Sequence, residues 1–190
     1  EPVVSKPEEP VVSKPEEPVV NEPEEPVVNE PEEPVVNNKR TITVEKVFSE
    51  AGYQNTLLVM NRATDEIAPI FGNATALNRG QSVSVDLEVE MESDLDFMLL
   101  EDGWSNSLVR NAVEGYLGGL GKFEYNGSTL SYITNNGRKS DIYVNIYHSI
   151  GNSADGLDHC IEYGNRLAFE DLWYGGDRDF DDLVINVNIN

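Results

Sequence analysis

From Ser82 to Met91 the chain reads SVSVDLEVEM, with an apolar residue at every second position. Val83, Val85, Leu87, Val89 and Met91 fall on one side and Asp86, Glu88 and Glu90 on the other. A period of two is the repeat of a β-strand, so the segment predicts a strand with one buried face and one solvated, acidic face. The same reading fits ITVEKVF (42–48), TLLVMN (56–61), LDFMLL (95–100), GKFEY (121–125), TLSYI (129–133), DIYVNIYHS (141–149), RLAFEDL (166–172) and LVINVNI (183–189). Turn residues separate them, NGS at 126 and NNG at 135 among others, and TLSYI is expected to pair with GKFEY as a hairpin. A helical period holds only over SLVRNAVEGYL (107–117), enough for one short helix. The fold class expected is all-β: an antiparallel β-sandwich, jelly-roll-like, of roughly eight to ten strands.

The alternation stops upstream of residue 37. Residues 1–36 are four copies of an octapeptide, EPVVSKPE twice and EPVVNEPE twice, followed by a partial EPVV. Nine of the ten prolines lie here, with eleven acidic residues against two lysines and no glycine or aromatic side chain to seed a core. Proline fixes φ and removes amide donors, so this segment is expected to be an extended or disordered Pro-Glu-Val spacer ahead of a domain at 37–190. At about 3.1 Å per residue such a spacer would reach on the order of 110 Å. A chain that begins inside a repeat is expected to be part of a longer protein, so its start is silent on export.

Net charge changes the list of partners. At -22 the chain lacks the clustered Lys and Arg that nucleic acid or anionic lipid requires, and no apolar run is long enough for a membrane-spanning helix, so neither nucleic acid nor membrane insertion is expected. Cations are the partners that such acidity favours. One cysteine, Cys160, excludes an internal disulfide.

The acidity is densest in GGDRDFDD, from Gly175 to Asp182, between two predicted strands. Carboxylates held this close either stay solvated or surround a cation. Calcium takes six to eight hard oxygen ligands in flexible geometry, which suits such a loop. Asp177, Asp179 and Asp181 alternate as in the first half of an EF-hand loop, but Asp182 stands where that loop needs its glycine and Asn188 where it needs its bidentate glutamate. The glycine-rich nonapeptide of calcium-binding β-helices fails as well, because its third glycine is Arg178 and there is a single copy. The expected site is therefore an isolated calcium loop of Asp177, Asp179, Asp181 and Asp182, joined by Asp171 or Glu170. Adjacent strand residues point to opposite faces, so only one of that last pair should reach the loop. The competing reading is an acidic turn with Arg178 as internal counter-ion. Asp94, Asp96 and Asp102 lie near strand breaks and could complete the shell. Zinc lacks ligands, since His148, His159 and Cys160 are the only soft donors and the last two are neighbours. No nucleophile elbow or phosphate loop appears, and no carboxylate pair stands out for glycoside hydrolysis, so no enzyme is expected.

FEDL at 169–172 followed by GGDRDFDDLVI at 175–185 resembles the C-terminal signature of a bacterial family known as domain of unknown function 4114. AGYQNTLLVMN (51–61) is similar to that family's opening strand pair, and LDFMLLEDGWS (95–105) to its middle strand and turn. The resemblance implies a β-rich module of large secreted bacterial proteins, often adhesin-like or carrying calcium-binding repeats. The functional expectation is a non-catalytic, calcium-binding module at a bacterial cell surface, outside the cell, with the spacer holding it away from the wall. An alternative is calcium-dependent binding of a cell-surface glycan or peptide, with Trp104, Trp173 and Tyr174 offering aromatic faces to the ligand.

Overall fold

The structure is a computed structural model and describes residues 39–190. The expected spacer at 1–36 lies outside the described residues. Thirteen elements follow in order: β1 (Lys39–Phe48), β2 (Thr56–Asn61), β3 (Glu66–Phe71), β4 (Ser82–Glu88), β5 (Leu95–Leu100), α1 (Ser107–Leu117), β6 (Gly121–Tyr125), β7 (Leu130–Thr134), β8 (Lys139–Ile142), β9 (Ile146–His148), β10 (Cys160–Tyr163), β11 (Arg166–Phe169) and β12 (Leu183–Ile189). The strands form a five-stranded sheet in the order β10-β11-β12-β1-β4, a four-stranded sheet β3-β2-β5-β9, and a three-stranded sheet β6-β7-β8. The ladders within all three are antiparallel.

The five- and four-stranded sheets make the sandwich. Ile42 and Val44 of β1, Leu87 of β4, Phe169 of β11 and Leu183 and Ile185 of β12 pack against Leu57 and Val59 of β2, Ile70 of β3 and Phe97 and Leu99 of β5. The intervening residues of the four-stranded sheet face the other way. Leu58, Met60, Met98 and Leu100 meet Val109, Ala112 and Val113 of α1 together with Phe123, Leu130, Tyr132 and Ile142 of the three-stranded sheet. Every residue of β2 and β5 is buried, so TLLVMN and LDFMLL do not keep the solvated face expected of them, because both faces of these strands are covered. A fully buried Leu, Val or Phe contributes roughly 1.5–3 kcal/mol, and these two strands supply such residues to two cores at once.

The sandwich, the β6–β7 hairpin and the helix over 107–117 agree with the sequence. The helix is capped by Asn106, whose side chain accepts from the amide of Leu108, and it buries Val109, Ala112 and Val113 at helical spacing.

Several details differ. Cys160–Tyr163 forms β10, which the alternation did not mark. EIAPIF forms β3 despite Pro69, and it can do so because β3 is an edge strand whose outer side needs no donor. DIYVNIYHS does not form one strand: β8 pairs with β7 and β9 with β5, so the chain changes sheets across residues 143–145. Met91 lies beyond the end of β4 and is exposed. RLAFEDL is a strand only as far as Phe169. Among the described residues no helix is long and apolar enough to cross a membrane.

Candidate metal site in the loop between β11 and β12

β11 and β12 are antiparallel neighbours, and Phe169 stands directly opposite Leu183. Residues 170–182 are therefore a hairpin loop whose two ends meet, with Glu170 and Asp182 next beyond the last paired residues. Because the strand stops at Phe169, the rule that adjacent residues face opposite ways no longer governs Glu170 and Asp171. Both join the cluster, which corrects the expectation that only one could. The backbone amide of Asp171 donates to Oδ2 of Asp182 at 2.9 Å, closing the neck of the loop.

Five carboxylates gather in two groups. Glu170, Asp171 and Asp182 each bring an oxygen within 4.8 Å of the others, and Glu170, Asp177 and Asp179 do the same. Glu170 is completely buried. Its Oε2 accepts from the amide of Arg178 at 3.1 Å, whereas Oε1 is buried with no hydrogen-bond partner. The Oε1 atom also lies against Gly176, where an added β-carbon would collide with it. Gly176 leaves the space that a methyl group would take. Asp171, 1 % exposed, accepts from the side-chain amide of Asn55 at 2.5 Å. Asp181 belongs to neither group; its amide faces Oδ1 of Asp179 at 3.4 Å and its carbonyl accepts from Glu50.

The loop reaches this arrangement through left-handed backbone at Tyr174, Gly175, Gly176, Arg178 and Phe180. An extended chain would space Asp177, Asp179 and Asp181 at roughly 6.8 Å steps along one face. The left-handed residues between them prevent that. A non-glycine residue in this region costs about 1–2 kcal/mol, so Tyr174, Arg178 and Phe180 hold strain that the surroundings must offset.

The electrostatics are those of crowded, desolvated carboxylates. Burial, then the charges of Asp182 and Asp177, push the Glu170 carboxyl up to about 7 against the opposing pull of the Arg178 amide. Asp171 is likewise raised to about 7, by burial and by the Asp182 and Glu101 carboxylates, although the Asn55 hydrogen bond favours its charged form. Burial and the neighbouring Asp179, Glu50 and Asp182 raise Asp181 to about 6. Arg178 does not relieve them. Its side chain lies along Gly175, and among the described residues it makes no ion pair within 4.0 Å. The donor set fits a hard cation, because every side-chain donor is a carboxylate oxygen. The soft donors are engaged elsewhere. His159 pairs through Nε2 with Asp155 at 2.8 Å and through Nδ1 with the Glu170 carbonyl at 3.2 Å, His148 is 2.7 Å from Asp96, and burial pushes the Cys160 thiol up to about 12.

Of the other aspartates proposed for the shell, none joins either group. Asp96 is buried against His148 and Ser149, and Asp102 accepts from Gln54 and Ser105. Trp173 and Tyr174 are exposed within the loop, edge to face with ring centroids 5.9 Å apart. The Tyr174 amide is anchored on Oδ2 of Asp155 at 2.9 Å. Trp104 is half-buried, its ring against Gly72 and the second core.

Residues that the sequence reading missed support the site from beneath. Asn55 holds Asp171 and also accepts from the amide of Asp102. Tyr147 stacks on His159 at 4.2 Å and donates to Glu101. Nothing in AGYQN marks Asn55 as the buried partner of a residue 116 positions away, and nothing in NIYHS marks Tyr147 as the ring beneath His159.

A family model described as Domain of unknown function (DUF4114) matches residues 89–190, slightly more than half of the chain and including the whole acidic loop. The match begins after β1–β4 and after the segment at 51–61, although those strands supply half of the first core. No curated protein and no solved structure matches the chain.

Proposed function

This chain belongs to the DUF4114 family, and we propose that its β-domain is a non-catalytic, calcium-binding extracellular module of a bacterial surface protein of the adhesin kind, with calcium fixing the loop at 170–182 against β12. The observation that carries the reading is Glu170, whose Oε1 is buried with no partner and whose carboxylate belongs to both acidic groups. Leaving a buried charged acceptor unsatisfied is costly, and a hard cation is the partner this donor set suits. Calcium is favoured over magnesium because the ligands come from a loop of irregular backbone and include buried carboxylates, where magnesium prefers an octahedral, water-rich shell. Calcium bound only to the folded state stabilises it by RT ln(1 + [L]/Kd), about 2.7 kcal/mol at a hundredfold excess over Kd. Terbium, which substitutes for calcium and is sensitised by nearby Trp and Tyr, tests the reading on the full chain. Saturable luminescence that calcium displaces and that Glu170→Gln weakens supports it; no saturable signal defeats it.

One observation favours a second reading. Trp173 and Tyr174 are exposed at the rim of the loop, and Tyr174 is held left-handed with its amide tied to Asp155. Rigid aromatic faces beside a cation suit a calcium-dependent glycan or peptide ligand. Glycan and peptide arrays probed with and without calcium, using Trp173→Ala as control, test it; binding unaffected by both calcium and the substitution counts against it.

A further inference from the structure

We infer that the loop holds two calcium ions, an inner one among Glu170, Asp171 and Asp182 and an outer one among Glu170, Asp177 and Asp179, with the Glu170 carboxylate bridging them. The inference rests on the proposed calcium site and adds its stoichiometry and ligand sets.

The first argument is reach. Oxygens bound to one calcium lie 2.3–2.6 Å from it, so no two of them can be more than about 5 Å apart. Glu170, Asp171 and Asp182 meet that limit, as do Glu170, Asp177 and Asp179. Among the described residues no group of such oxygens combines Asp171 or Asp182 with Asp177 or Asp179. In this arrangement the five carboxylates fall into two sets of oxygens, not into one that a single ion would share.

The second argument is the condition of Glu170. It is the member common to both groups and is completely buried, with one oxygen that accepts a single amide and another that has no partner. Both Glu170 oxygens keep lone pairs for metal, Oε1 because it has no partner and Oε2 because it accepts a single amide. Gly176 keeps open the side of Oε1, which any larger residue would close.

Charge balance is the third. One divalent ion would leave the five carboxylates with three uncompensated negative charges, whereas two ions leave one. Arg178, the cation within the loop, makes no ion pair with them and so does not make up the difference.

The two positions should behave differently. Glu170 and Asp171 are buried and Asp182 is half-buried, so the inner ion is shielded from water; Asp177 and Asp179 are exposed, so the outer ion keeps water in its shell and exchanges faster.

Native mass spectrometry and calorimetric titration of the full chain with calcium alone test the inference. The expected result is two ions per chain, bound in two steps at least tenfold apart in affinity. Asp177→Asn/Asp179→Asn, which alters only exposed side chains, should bind one ion, and Asp182→Asn, which keeps an oxygen for the Asp171 amide, should also bind one. Glu170→Gln should weaken both steps. A single ion in the unmodified chain, or loss of all binding in Asp177→Asn/Asp179→Asn, would overturn the bridged pair and leave the calcium reading standing. No calcium bound at all would overturn both.

Discussion

Asn55 donates its side-chain amide to Oδ2 of Asp171 across 116 positions of sequence, at 2.5 Å and out of contact with solvent. The same side chain accepts from the amide of Asp102, so one residue ties the acidic loop to the turn that leads to Trp104. Asn55→Ala should lower stability by about 1–3 kcal/mol, the cost of leaving a buried acceptor and a buried donor unpaired. Urea unfolding measures it, and a change under about 0.5 kcal/mol, typical of surface substitutions, would show that Asp171 finds another donor.

Gly176 has φ +40°, and a β-carbon there would collide with the Glu170 carboxylate. Gly176→Ala therefore strains the backbone and displaces the central ligand together. Calcium affinity should fall at least tenfold, as titration calorimetry would report. Unchanged affinity would mean that Glu170 does not occupy the centre of the site.

Without calcium, the pH dependence of stability has a definite sign. Glu170 and Asp171 are raised to about 7 in the folded chain, against ordinary values near 4.5 and 3.8. Between those limits the folded state binds protons that the unfolded state has released, so stability should rise as the pH falls from 8 towards 5. Asp155 acts in another window. Burial alone would raise its carboxyl, but hydrogen bonds from His159, Leu157 and Tyr174 outweigh that and hold it below the usual value. The stability it contributes is complete above its unfolded value, roughly 3.9, and is lost only as the pH falls further. Melting temperatures in EDTA at pH 8, 7, 6 and 5 check the trend. A flat or opposite profile would show that the acidic loop is solvated.

His159 is completely buried, stacked on Tyr147 and paired with the fully buried Asp155 carboxylate, which in turn anchors the Tyr174 amide. His159→Phe keeps the stacking and removes the pairing. It should cost about 1–3 kcal/mol, the penalty of leaving one oxygen of the buried Asp155 carboxylate without its hydrogen-bond partner. It should also weaken the near-ultraviolet circular dichroism of Trp173 and Tyr174. Stability within about 0.5 kcal/mol of the parent would contradict the pairing.

Much of this was legible along the chain because the physics involved is local. Alternation at SVSVDLEVE shows in β4, where exposed Ser82, Ser84, Asp86 and Glu88 interleave with the more buried Val83, Val85 and Leu87. The helix at 107–117 and the β6–β7 hairpin were marked by period and turn residues. Pairing across distance was not legible. β2 and β5 keep no solvated face because a third layer covers their outer side, and the sequence of either strand is silent on what that layer is. For the site, the crowding of Asp177, Asp179 and Asp182 was visible as composition. The central part of Glu170 was hidden because it depends on β11 ending at Phe169, three residues short of the strand that alternation suggests for RLAFEDL. Arg178 stands at φ +59°, where glycine fits most easily, so its identity concealed a turn that glycine would have advertised.

Thermal unfolding of the full chain in EDTA and across a calcium titration, with magnesium as control, decides whether calcium holds the loop at 170–182. The account predicts a calcium-selective rise of roughly 5–10 °C at a hundredfold excess over Kd, absent in Asp177→Ala/Asp179→Ala/Glu170→Gln. A melting temperature indifferent to calcium would contradict it and make the loop a solvated acidic turn.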